Sequence, residues 1–142
     1  MKKIIKLLLL ISWLLLIFYL SSLNGKTSTG QSNKLVNIAY KITHIDKSIL
    51  IPLIRKTAHI TEYFVLFMLV FTNLKEYKVK DIFKVTVLLS IIYALFDEFH
   101  QLFISERSGK ITDVLIDIIG IALGYVLIKK GVLKHEKNSK KL

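Results

Sequence analysis

Residues 4–23 form an almost continuous apolar run containing Lys6, Ser12 and Trp13. A helix needs roughly 20 such residues to cross the hydrocarbon core of a bilayer. The rest of the chain repeats the pattern in blocks, so that 53% of its 142 residues are hydrophobic and the mean hydropathy is +0.53. A soluble domain of this size would show amphipathic periods around one core instead. A signal peptide opens in the same way, but no small-x-small cleavage site comes after it; the exit reads Ser21-Ser22-Leu23-Asn24-Gly25-Lys26. The run is therefore expected to remain as a first membrane helix.

Turn chemistry and charge divide the remainder of the chain. Residues 24–34 are rich in Gly, Ser, Thr and Asn and read as a loop. Leu35, Ile38, Ala39, Ile42, Ile45 and Ile49 then recur at spacings of three and four, predicting an amphipathic interfacial helix over 35–50. Pro52 resets the chain as the first turn of a second membrane helix, 52–74. A third is expected over 81–103 and a fourth over 113–128, with Gly120-x-x-x-Gly124 as a close-packing face. The predicted fold is an all-α membrane protein, a bundle of four transmembrane helices with one amphipathic helix between helices one and two. It forms a single domain over 1–128, with a basic cytoplasmic tail over 129–142.

The net charge of +11 sits at the ends of the apolar blocks and in the tail, where cations face anionic lipid. No basic face interleaves with aromatics, so nucleic acid is not an expected partner. Four crossings place 13 of the 21 Lys and Arg on the side of the termini and 8 opposite. The positive-inside rule then puts the termini in the cytoplasm. Cysteine is absent, which excludes disulfides, thiolate metal sites and cysteine nucleophiles.

Arg55-Lys56-Thr57-Ala58-His59-Ile60-Thr61-Glu62-Tyr63 breaks this economy by placing ionisable groups in the opening turns of an apolar helix. A charge at the bilayer centre costs at least about 2.5–3.5 kcal/mol. With the termini inside, Arg55, His59 and Glu62 lie toward the outer end of helix two. Asp97, Glu98, His100 and Gln101 lie toward the outer end of helix three, and Asp113 and Asp117 begin helix four there. Residues three or four apart share a helix face. Arg55, His59 and Glu62 thus form one stripe with Tyr63 at its edge, Asp97, His100 and Gln101 a second, and Asp113 and Asp117 a third. Glu98 is expected to turn toward Arg107 or Lys56, and Arg55 to be the ion partner of His59 and Glu62.

Three readings fit the stripes. They can be an ion-pair plug that only fixes packing. They can hold a divalent metal as cofactor, with His59, Glu62, Asp97 and His100 as candidate ligands at a spacing known from carboxylate-bridged bundles. Or His59, Glu62, Asp97, Glu98, His100, Gln101, Asp113 and Asp117 can supply acid–base catalysis while Arg55, Lys56, Tyr63 and Arg107 bind a phosphate. Ser105 and Ser108 are ordinary loop serines, and His44 and His135 read as solvated.

At these residues the chain resembles the VanZ-like family of small bacterial membrane proteins. The resemblance rests on Arg55-Lys56-x-x-His59-x-x-Glu62-Tyr63, on Asp97-Glu98-x-His100-Gln101, and on Phe103, Arg107, Asp113-Val114, Gly120 and Gly124. It covers residues 20–125 and includes Ser21 and Ser22. Ser105 stands where the family pattern has Pro, and Asp117 where it has Asn. The resemblance implies a multi-span protein of the cell membrane, and its best-known member is associated with teicoplanin resistance in Gram-positive bacteria. It brings no established reaction, so the question of an enzyme stays open. Two functions are expected from it. One is a non-catalytic effect on envelope lipids or precursors that lowers glycopeptide susceptibility; the other is an enzyme acting on a lipid-linked phosphate or peptidoglycan precursor. The partners either would need are membrane lipids and a lipid-linked cell-wall precursor or lipoglycopeptide.

Overall fold

The computed structural model describes the backbone of residues 2–139 and the side chains of 3–30 and 32–132. His135 and the rest of the basic tail from residue 133 onward lie outside the described side chains. Five helices run in order: α1 (Lys2–Ser22), α2 (Gly25–Thr43), α3 (Lys47–Glu76), α4 (Ile82–Gln101) and α5 (Ile111–Ser139). There is no strand among the described residues. Three helices, α1, α3 and α5, are long and apolar enough to cross a membrane. The fourth, α4, carries Lys84, Asp97 and Glu98 within its 20 residues.

Several boundaries differ from the sequence expectation, each for a local reason. The loop predicted over 24–34 is mostly helix, because Asn24 caps it by accepting the Thr27 backbone N–H at 2.9 Å. The amphipathic helix therefore ends early, at His44, whose left-handed backbone (φ 54°) terminates it. Asp46 then caps α3 through the Ser48 N–H at 2.7 Å, so that α3 begins at Lys47 and Pro52 falls inside it. At the other end of the chain α5 runs on past residue 128, and Lys129 donates to the Tyr125 hydroxyl at 3.2 Å.

The central helix is α3, which packs against each of the other four. Its largest interface is with α5, where Gly120 and Gly124 bring the backbones together. A Cβ at Gly120 would overlap the Ile60 carbonyl oxygen and lie 3.0 Å from the Phe64 nitrogen, and one at Gly124 would lie 2.7 Å from Phe67 Cδ1. The core gathers Ile17, Tyr63, Leu66, Phe67, Val70, Ala94, Val114 and Ile121. Leu15, Leu88, Leu95, Leu123 and many similar side chains point outward, as lipid-facing residues do.

Lipid is as apolar as leucine, so burial alone does not hold such helices together; close packing and polar bonds do. The bonds are present along α1. Trp13 Nε1 donates to the Glu62 carbonyl at 3.0 Å, Tyr93 Oη to that of Leu14 at 2.7 Å, and Asn73 Nδ2 to that of Lys6 at 3.0 Å. Lys6 pairs with Glu76, and Lys3 lies over the Tyr77 ring. This end, with the start of α1 and the turn after α3, is rich in lysine. The opposite end gathers most of the buried carboxylates and two arginines.

Candidate functional site

At that opposite end the final turns of α1 and α4 and the first turns of α5 meet the stretch of α3 from Arg55 to Glu62, and α2 packs against α3 beside them. Between them is a cavity of about 230 Å³ lined on its polar side by Arg55, His59 and Glu62 of α3, Asp97 and Gln101 of α4, and Arg107 from the α4–α5 connection. Ser28 and Ser32 of α2 and Ser21 of α1 add hydroxyls. A smaller neighbouring space of about 100 Å³ shares Arg55, Gln101 and Arg107 and adds Asp113.

Helix periodicity sets which side chains arrive. His59 and Glu62 are one turn apart on α3, and Asp97 and Gln101 one turn apart on α4. Gln101 Nε2 donates to Asp97 Oδ2 at 3.2 Å and makes a longer 3.5 Å contact with Glu98 Oε1. Asp117, wholly buried on α5, accepts from His59 Nδ1 at 2.9 Å. That bond holds the ring and leaves Nε2 as the nitrogen free for proton transfer or metal ligation. Glu98 makes no ion pair with Arg107 or Lys56 within 4.0 Å and instead accepts the Lys110 backbone N–H at 2.8 Å.

The structure rearranges several expected partners. Arg55 is not the ion partner of His59 or Glu62. The ion pairs within 4.0 Å among the described residues are Lys6–Glu76, Lys26–Glu106 and His59–Asp117. His100 stands apart, stacked on Phe18 with centroids 4.6 Å apart and with Nε2 3.1 Å from Ser22 Oγ. It lies beside Gln101 in sequence, but about 100° of helical rotation turns it onto α1. Lys56 is exposed and lines neither cavity. Tyr63 is fully buried in the core, and its hydroxyl has no hydrogen-bond partner.

Three contacts were not legible in the sequence. Arg107 Nη2 donates to the Leu20 carbonyl at 3.2 Å and to Ser28 Oγ at 2.7 Å, tying α1, α2 and the α4–α5 connection together. Gly25 N also donates to the Ser105 carbonyl at 3.1 Å, seating the start of α2 on that connection. Burial, and then the charge of Arg55 beside it, push Arg107 below the usual arginine range. Two guanidinium groups therefore face a common space at some electrostatic expense.

An all-helical, lipid-exposed bundle with a part-buried histidine–carboxylate pair and two arginines around a polar cavity at one end defines a class of small integral membrane protein. The chain belongs to the VanZ/LLP1 family, whose family model matches residues 6–134. No curated protein matches it, and no solved structure does.

Proposed function

We propose that this VanZ-like protein spans the membrane four times with its termini in the cytoplasm. In this reading its polar cavity opens at the outer face, binds an anionic head group of an envelope lipid or lipid-linked precursor, and so lowers susceptibility to teicoplanin-type glycopeptides without chemistry of its own. The observation that carries the reading is the facing of Arg55 and Arg107 across a serine-lined cavity. Their mutual repulsion is relieved by an anion, and a guanidinium fork suits a phosphate. The lysine-rich opposite end supports cytoplasmic termini. The packing of α4 on α1, α3 and α5 supports reading it as the fourth span despite its charges.

A second reading is favoured by one specific feature, the His59–Asp117 pair with Glu62 in the same cavity. It makes the protein an acid–base enzyme acting on a lipid-linked phosphate, with His59 moving the proton. Both readings place their working groups in the cavity. In a susceptible Gram-positive host, His59→Ala, Glu62→Ala and Asp97→Ala variants expressed at wild-type level in the membrane are expected to drop the inhibitory teicoplanin concentration to that of the empty-vector strain. Full protection by all three would remove the cavity from the function. Turnover of a lipid-linked phosphate by purified wild-type protein, lost in His59→Ala, would select the enzymatic reading.

A further inference from the structure

Three helices each bring one side chain of metal-ligand type close together at the same end of the bundle as the cavity. One ring nitrogen of His59 from α3 and one carboxylate oxygen each from Glu98 of α4 and Asp113 of α5 lie within 4.8 Å of one another. An ion with bonds of about 2.0–2.2 Å holds its ligand atoms about 3–4 Å apart, so these groups are close to the spacing a metal requires. The set differs from the one that spacing along the chain suggests, because Glu62 and Asp97 face the cavity interior and His100 packs on α1.

Two further observations point to a cation. Asp117 is wholly buried, holds His59 through one oxygen, and has no hydrogen-bond partner for the other. A carboxylate behind a histidine, fixing its tautomer and raising its basicity, is the usual outer-shell arrangement of a metal-bound imidazole. The second observation is charge. Glu62, Asp97, Glu98, Asp113 and Asp117 share this end of the bundle, and among the described residues none has a Lys or Arg side-chain nitrogen within 4.0 Å. Asp97, Glu98 and Asp117 are each at most 5% exposed. Buried carboxylates are normally paired or bound to metal, and among the described residues neither Arg55 nor Arg107 forms an ion pair with any of these within 4.0 Å.

We propose that His59, Glu98 and Asp113 bind one divalent cation, with Asp117 as the positioning residue behind His59. One imidazole with two carboxylates suits Zn²⁺ or Mn²⁺ better than Mg²⁺ or Ca²⁺, which favour all-oxygen shells. Three protein ligands leave a further position for water or for an oxygen of a bound ligand. The inference stands apart from the susceptibility reading, because metal binding is measured without any envelope phenotype.

The test uses the full chain without a polyhistidine tag, purified in detergent, stripped with chelator, desalted and titrated with Zn²⁺ or Mn²⁺ alone. Calorimetry and elemental analysis are expected to give one ion per chain. Asp117→Ala is expected to weaken binding roughly 10–100-fold, the usual effect of losing an outer-shell partner. Glu98→Gln and Asp113→Asn should weaken it at least as much, with wild-type helical circular dichroism. Glu106→Gln, which disrupts only the exposed pair with Lys26 at the same end, should bind as wild type does. Wild-type protein that takes up neither ion stoichiometrically overturns the proposal, and this readout needs no variant to fold. Undiminished binding in Glu98→Gln and Asp113→Asn, or equal loss in Glu106→Gln, overturns it as well.

Discussion

Gly120→Leu is expected to unfold the bundle or lower its stability by about 3 kcal/mol or more, at the upper end of the range for overpacking. The added side chain starts from a Cβ that overlaps the Ile60 carbonyl oxygen and presses on the Phe64 nitrogen. Both obstacles are backbone, so no rotamer change clears them, and α3 and α5 must move apart. That seam also sets His59 against Asp117, one turn before Gly120 on α5. The loss of packing and of the buried hydrogen bond therefore come together. Gly131→Leu on the same helix is the matched control, since a Cβ there meets nothing within 4 Å. Unfolding midpoints in detergent, monitored by helical circular dichroism, should fall sharply for the first variant and stay at the wild-type value for the second. Equal midpoints would mean that the α3–α5 seam is not close-packed.

Arg107→Ala carries the second large effect, and it is local. One guanidinium nitrogen holds both the end of α1, at the Leu20 carbonyl, and α2, at Ser28 Oγ. Hydrogen bonds to charged groups contribute roughly 1.5–3 kcal/mol each, and in α2 only Val36 among the described side chains is deeply buried. With Arg107 gone, α2 should open from the bundle while the other helices stay packed. An opening easier by about 2–3 kcal/mol appears as hydrogen exchange faster by roughly 30–150-fold in α2 amides, with those of α3 and α5 unchanged. Uniform acceleration across all helices, or none, would contradict the role of Arg107 as the tie that holds α2 to the bundle.

The apolar blocks make α1, α3 and most of α5 legible, because a run of that length has few alternatives in lipid. Residues 24–34 read as loop only because their composition is turn-like. What makes them helical is the Asn24 cap and the seating of Gly25 on the Ser105 carbonyl, a contact about eighty residues away in sequence. Pro52 reads as a helix start because its ring suits a first turn, yet Asp46 caps the helix earlier. The site is legible by depth and less so by direction. Spacings of three and four bring Arg55, His59 and Glu62 to one face, and Asp97 and Gln101 to another. Periodicity within one helix does not say which neighbour each face meets. Hence His59 finds Asp117 rather than Arg55, and His100 finds Phe18. Asp117 is the available signal, a charge where the family pattern has an amide.

The function proposed for this protein rests on the polar end of the bundle facing outward. The chain contains no cysteine, so single cysteines report their own position without background. In intact cells a membrane-impermeant maleimide is expected to label Ser108→Cys, exposed in the α4–α5 connection beside the cavity. It should leave Lys78→Cys, exposed at the lysine-rich end, unlabelled until the membrane is permeabilised. The opposite pattern, with Lys78→Cys labelled from outside and Ser108→Cys protected, would place the cavity in the cytoplasm and contradict the account.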